Sequence, residues 1–141
     1  MQSLEKLKPI SLLLLRVALG VIFTFHGLPK LTHTEQWVQN FAHMGFPGYF
    51  ASIAGILEVF GGAMLILGLF TRIAVLLLAI EMGIAVSVVH GLLSNPSNVK
   101  NYEFPLVLCA SCFALATVGA GLISIDQGLF ERRTTPARKK G

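Results

Sequence analysis

Along the chain, apolar residues run almost unbroken through four stretches, roughly Ile10 to Leu28, Tyr49 to Phe70, Ile73 to Leu93 and Phe104 to Ile125. Each holds about 19–22 residues, the length that carries an α-helix across about 30 Å of hydrocarbon. None alternates with the period of two that a half-buried strand requires. A continuous run inside a bilayer has to satisfy its own backbone hydrogen bonds, so helices are predicted for all four. Polar residues gather in three connections and at the two chain ends. The pattern predicts an all-α integral membrane protein, a four-transmembrane-helix bundle. It forms one membrane domain over residues 1–126, followed by a basic, disordered tail over 127–141.

Composition strengthens the membrane assignment. The 141 residues are 54% hydrophobic and only 13% charged, with a mean hydropathy of +0.72. A soluble chain of this length has too little interior to hide so much apolar surface. Lys6 and Lys8 before the first run resemble the start of a signal peptide, but "FTFHGLPKL" follows where a small-residue cleavage site would stand, so the run reads as a retained span.

Orientation follows from the cations. Lys6 and Lys8, Arg72 in the turn between the second and third spans, and Arg132, Arg133, Arg138, Lys139 and Lys140 all fall on one side. The other two connections hold only Lys30 and Lys100. Both termini are therefore expected on the cytoplasmic side. The net charge of +4 comes largely from the tail, which reads as a topology signal near anionic lipid and not as a nucleic-acid site. In the first outer connection Thr32 and Glu35 form a capping-box pattern, with Trp37, Phe41 and Met44 at helical spacing. This predicts a short interfacial helix, with Trp37 and Tyr49 in the aromatic belt; the alternative is a lid over a site.

Charged residues inside the spans are the candidate chemistry. Counted from outer boundaries near Leu28, Tyr49, Leu93 and Glu103, Glu58 lies about 13 Å deep and Arg16 and Glu81 about 18 Å deep. His26, His90 and Glu103 fall within about 5 Å of the outer boundary. Two polar layers are expected, a central one of Arg16, Glu58 and Glu81 and an outer one of His26, His90 and Glu103. A charge facing lipid costs about 3 kcal/mol on insertion scales, so the central three are expected to point inward and pair. Arg16 would take one carboxylate in its planar fork, leaving the second to hold or accept protons. A purely structural Arg–Glu pair that fixes helix register is the alternative. Glu103, beside Pro105, suits the first turn of a helix.

Gly55, Gly61, Gly62, Gly68, Ala79 and Gly83 suit close helix contact, or room for a flat ligand. His26 and His90, each followed by glycine, sit at similar depth and could ligate a haem, or a metal together with Glu103. No His-x-x-x-His or Glu-x-x-His spacing supports that, and histidines that bond a nearby loop are the plainer alternative. Cys109 and Cys112 form a C-x-x-C within the last span, either a redox pair or two small apolar residues. If the helix begins near Pro105, Cys109 lies about a turn inside it, away from the N-terminus that would activate a thiol.

The ordered runs "LLLRVALGVIFTFHGLPKL", "EVFGG", "LGLFTR", "MGIAVSVVHG", "NYEFPLVL" and "GAGLISID" resemble the DoxX family of small bacterial membrane proteins, from about Leu12 to Asp126. The resemblance implies a four-helix inner-membrane protein. It also implies an association with quinone or thiol redox systems, the family name coming from a subunit of a thiosulfate:quinone oxidoreductase. The family pattern falls on Arg16, Gly20, His26, Gly27, Lys30, Glu58, Gly61, Gly62, Thr71, Arg72, His90, Tyr102, Glu103, Ser124 and Asp126. It carries no catalytic role to any of them, and it omits Cys109 and Cys112.

Three functions are consistent with these residues. The first is a quinone-linked redox component or oxidoreductase subunit: Arg16 or His26 meets the ring oxygens, and Glu58 and Glu81 relay protons beside an outer set of His26, His90, Glu103, Lys30 and Tyr102. No flavin or nicotinamide fingerprint is present. The second is a small proton-coupled carrier, with the two polar layers as its path. The third is an assembly subunit that docks a soluble redox protein. Expected partners are the lipid bilayer, a quinone, a redox protein or other subunit, and a second copy in a homo-oligomer.

Overall fold

A computed structural model describes residues 5–90, 92–94 and 96–129, and over these the chain is helical, with no strand. In chain order the elements are α1 (Lys8–Thr32), α2 (Thr34–His43), α3 (Tyr49–Leu67), α4 (Thr71–Ile84), α5 (Val99–Val118) and α6 (Ile125–Leu129). A π-helical stretch, Ala85–Val89, continues α4. Four helices are long and apolar enough to cross a membrane: α1, α3, α4 with its π extension, and α5. Only about a third of each apolar window is buried in the bundle. Phe25, Phe60, Ile73 and Phe113 are more than half exposed, an arrangement that lipid satisfies and water does not. The chain is an all-helical, multi-pass membrane protein. The short helix expected in the first connection is α2; the tail residues 130–141 and the glycine of the second His-Gly pair, Gly91, lie outside the described residues.

Glycines set the closest helix pair. A Cβ on Gly20 would stand 2.7 Å from the Gly62 carbonyl oxygen, and one on Gly27 would stand 2.8 Å from the Gly55 oxygen and from the Glu58 Cβ. Gly20 and Gly27 are two turns apart on α1, as are Gly55 and Gly62 on α3, so each pair lines one stripe. The helices run antiparallel with their backbones nearly in contact. α4 packs on α5, α3 joins the two pairs, and α1 meets α5 only loosely. Leu19, Phe23, Leu65, Leu78, Leu108 and Leu115 fill the centre.

Several boundaries differ from the hydropathy pattern. α1 continues past Leu28, through Pro29, to Thr32. α5 starts five residues before Phe104, so Pro105 stands inside it, and it stops at Val118 instead of Ile125. The stop is local: Gly119 (φ +91°) and Gly121 (φ +81°) adopt left-handed backbone that other residues rarely take. The capping box does not form. His33 is the N-cap of α2, Thr32 Oγ1 donates instead to the Leu28 carbonyl, and Thr34 Oγ1 donates to the Leu31 carbonyl. α1 occupies the residues the motif would need.

The bundle has two distinct ends. One carries Glu5, the α3–α4 turn and α6, and is termed the termini end. The other carries α2 and the α4–α5 connection, and is termed the loop end.

Candidate functional site

The charged residues form two clusters, and their membership follows from how helical side chains lean. Every Cβ on an α-helix tilts toward the helix N-terminus. On α1 that direction is the termini end, and on antiparallel α3 it is the loop end. Lys30 therefore reaches down into the bundle, Glu58 reaches up, and their heads meet: Lys30 Nζ donates to Glu58 Oε2 at 2.6 Å, with the side chains 13% and 3% exposed. Arg16 leans in the same direction as Lys30, which from its lower position carries it away from Glu58. Its guanidinium donates to the carbonyl oxygens of Ala120 (2.7 Å) and Ile123 (2.8 Å).

This corrects the expected central layer. Arg16 does not pair with a carboxylate of the cluster, because it sits about 21 Å from Lys30 along α1, level with the α3–α4 turn. Lys30, placed by hydropathy in a loop, is the cation that neutralises Glu58. Glu81 joins the pair from α4, within electrostatic reach of both Glu58 and Lys30. Its Oε2 is buried and has no hydrogen-bond partner among the described residues. At the loop end the Lys30 ammonium also lies 5.7 Å from the centroid of the Trp37 ring, so α2 closes over it.

The outer residues hold separate posts. His26 is exposed, with Nδ1 against the Ile22 carbonyl (2.9 Å) and its ring stacked on Phe104, and it lies within electrostatic reach of Glu58. His90 places Nδ1 2.9 Å from the Ala85 carbonyl, the oxygen that its own backbone N–H also meets across the π turn. Tyr102 is buried and donates to the Pro96 carbonyl at 2.6 Å, which fastens the α4–α5 connection. Glu103 is exposed. Among the described residues no three His, Cys, Asp or Glu side chains gather to hold a metal ion.

Cys112 is fully buried in the core, and Cys109 donates to the Ala79 carbonyl at 3.4 Å. Both lie mid-helix in α5, farther from its N-terminus than a start near Pro105 implies. Helical Cβ atoms three positions apart are about 5–6 Å from each other, whereas a disulfide needs about 3.5–4.5 Å. The undistorted helix thus favours packing over a reversible disulfide.

The termini-end cluster is a fastening that sequence reasoning left unassigned. Asp126 Oδ1 and Oδ2 accept the backbone N–H groups of Phe70 (2.7 Å) and Thr71 (2.8 Å), while its own N–H donates to the Gly68 carbonyl (2.9 Å). A carboxylate at the start of α4 complements the helix dipole and satisfies two donors that the helix leaves open. It also holds Phe70 in left-handed backbone at φ +48°. Gly68 (φ +68°) allows the Arg16 guanidinium to pass, since a Cβ there would meet its carbon at 2.7 Å. Ser124 donates to the Gly121 carbonyl and accepts from the Gln127 N–H. Arg16, Thr71, Ser124 and Asp126, four residues on which the sequence resemblance falls, thus meet in the latch that ties the C-terminal segment to the bundle.

Comparison with known proteins agrees with this architecture. Residues 11–91 match the DoxX family. The protein named "Putative oxidoreductase CatD" of Bacillus subtilis is 34% identical over 122 residues, covering 86% of this chain and 89% of its own length. Inner membrane protein YphA of Escherichia coli is 34% identical over 128 residues, covering 85% and 91% respectively. An uncharacterized protein of Haemophilus influenzae is 33% identical over 141 residues, covering 94% and 100%. No solved structure matches the chain. The extent of these matches makes the chain a member of the DoxX family.

Proposed function

We propose that the chain is a quinone-linked redox component of a bacterial inner membrane, a subunit that receives electrons from a partner protein. In this proposal Lys30, Glu58 and Glu81 handle the ring oxygens and the protons. The observation that carries it is the asymmetry of the two carboxylates: Glu58 is neutralised by Lys30, while Glu81 keeps a buried oxygen without a partner. An uncompensated charge inside the bilayer is costly, which makes Glu81 the group that carries a proton to the site. Lys30 spends one ammonium proton on Glu58 and retains others for a ligand oxygen.

Reduction of a quinone to its quinol takes two electrons and two protons. Glu81 gives one proton, is reprotonated from the loop end, where His26 lies in the field of Glu58, and gives the second. The electrons come from the partner. The name of the Bacillus subtilis relative, an oxidoreductase, supports the reaction class. An apolar plug of Leu19, Phe23, Leu65, Leu78 and Leu115 lies between the Lys30 cluster and Arg16. This plug separates the two polar regions among the described residues, which favours this reading over a proton-coupled carrier. Lys6, Lys8 and Arg72 at the termini end support a cytoplasmic position for it, with Lys30 toward the opposite face.

Trp37, the one tryptophan of the chain, lies against Lys30 and reports on the site. In lipid nanodiscs a short-tailed benzoquinone is expected to quench its fluorescence saturably. Glu81→Leu, which leaves the Lys30–Trp37 contact in place, should weaken that binding about tenfold or more. Quenching that rises linearly with quinone and is the same in both proteins would overturn the proposal.

A further inference from the structure

The bundle does not close evenly. α1 and α3 touch backbone to backbone through their glycines, and α4 packs along α5, but α1 and α5 meet only loosely. Across that seam stand two rings, His26 from α1 and Phe104 from α5, with centroids 5.4 Å apart and planes inclined by 28°. Both residues are exposed from the bundle, so in a membrane they face lipid. They share one depth: His26 lies about 9 Å from the loop end of α1, and Phe104 about 8 Å from the start of α5.

A histidine turned toward hydrocarbon is costly unless it is used. Here Nδ1–H donates to the Ile22 carbonyl, which fixes the orientation of the ring at the seam. The Glu58 carboxylate lies behind it within electrostatic reach. No other pair of transmembrane helices among the described residues places stacked rings across a loose contact.

We infer that the α1–α5 seam is a lateral portal, through which a flat, lipid-soluble ring passes from the bilayer to the Lys30–Glu58–Glu81 cluster. Phe104 moves aside as the ring enters and then stacks on its other face. His26 supplies the face on which that ring stacks. The inference rests on the functional proposal above and deepens it by naming an entry route and two specificity-determining residues. Offset stacking between rings adds enough to make the loss of one ring measurable.

The test is photolabelling of the full chain in lipid nanodiscs with an azidobenzoquinone, with labelled residues mapped by mass spectrometry and competed by a short-tailed benzoquinone. Competed label is expected at His26, Phe104 and their neighbours on α1 and α5. Phe104→Leu, a change at an exposed position that keeps an apolar side chain, should weaken binding about 3–10-fold in the Trp37 assay, and Phe104→Tyr should restore it. Competed label confined to α3 and α4, with Phe104→Leu binding as wild type, would refute the portal and leave the quinone reading standing. If no label is competed anywhere, the portal and the quinone reading fall together.

Discussion

Removing the Lys30 ammonium tests the pairing on which the site is built. Glu58 is 3% exposed, and Lys30 is its ion-pair partner. Lys30→Met keeps most of the apolar stem and leaves the carboxylate uncompensated, a change that costs about 3–5 kcal/mol for a buried pair. The lost contact with Trp37 adds about 0.5–1 kcal/mol. Glu58→Met strands the ammonium in turn, but with a smaller loss, because Lys30 is nearer the loop end and 13% exposed. The double variant Lys30→Met/Glu58→Met removes both charges together and should regain most of the stability, as replacing both members of a buried ion pair with apolar groups commonly does. The cycle should therefore show a coupling of about 2–4 kcal/mol, measured as reversible unfolding in mixed micelles. A parallel cycle between Arg16 and Glu58 should be additive within about 0.5 kcal/mol. Coupling at Arg16 with none at Lys30 would refute the reasoning from side-chain direction.

Four further outcomes follow from the packing. Gly62→Val should separate α1 from α3 and cost more than about 3 kcal/mol, because even a Cβ there would meet Thr24 Oγ1 at 2.5 Å and the Gly20 carbonyl at 2.6 Å. Gly128→Ala, with nothing within 4 Å, should change unfolding by no more than about 0.5 kcal/mol. Asp126→Ala should cost about 1–2 kcal/mol by removing the acceptor for Phe70 and Thr71, and limited proteolysis should then release the C-terminal segment. Cys109→Ala/Cys112→Ala should bind a benzoquinone within about twofold of wild type, since both thiols serve as small packing groups; a larger loss would restore the dithiol to the mechanism.

Hydropathy was sufficient to locate all four spans, because a bilayer-crossing helix writes its length directly into an apolar run. Helix ends were less legible. The run through Ile125 is apolar, yet the backbone leaves the helix at Gly119; the "GAG" after a helical run was the available signal. The last turn of α1 was hidden because Pro29 and Lys30 look like a loop in composition.

That boundary decided the site. Cα depth along each span places Arg16 beside Glu58 and leaves Lys30 outside. A long side chain shifts its charge by several ångströms toward the helix N-terminus, so Arg16 and Lys30 move in the same direction and only one of them approaches Glu58. The antiparallel run of α1 and α3, implied by an up-and-down bundle, contained that information. The Asp126 latch had no such pattern, since it joins two turns more than fifty residues apart through backbone donors.

Infrared difference spectroscopy on quinone addition tests the central claim most directly, because it observes the carboxyl groups themselves. Wild-type protein in nanodiscs should show a perturbed protonated-carboxyl band when a short-tailed benzoquinone binds, and Glu81→Gln should lose that band while Glu58→Gln alters only the carboxylate region. A spectrum with no carboxyl response, or one that persists unchanged in Glu81→Gln, would contradict the assignment of Glu81 as the proton carrier.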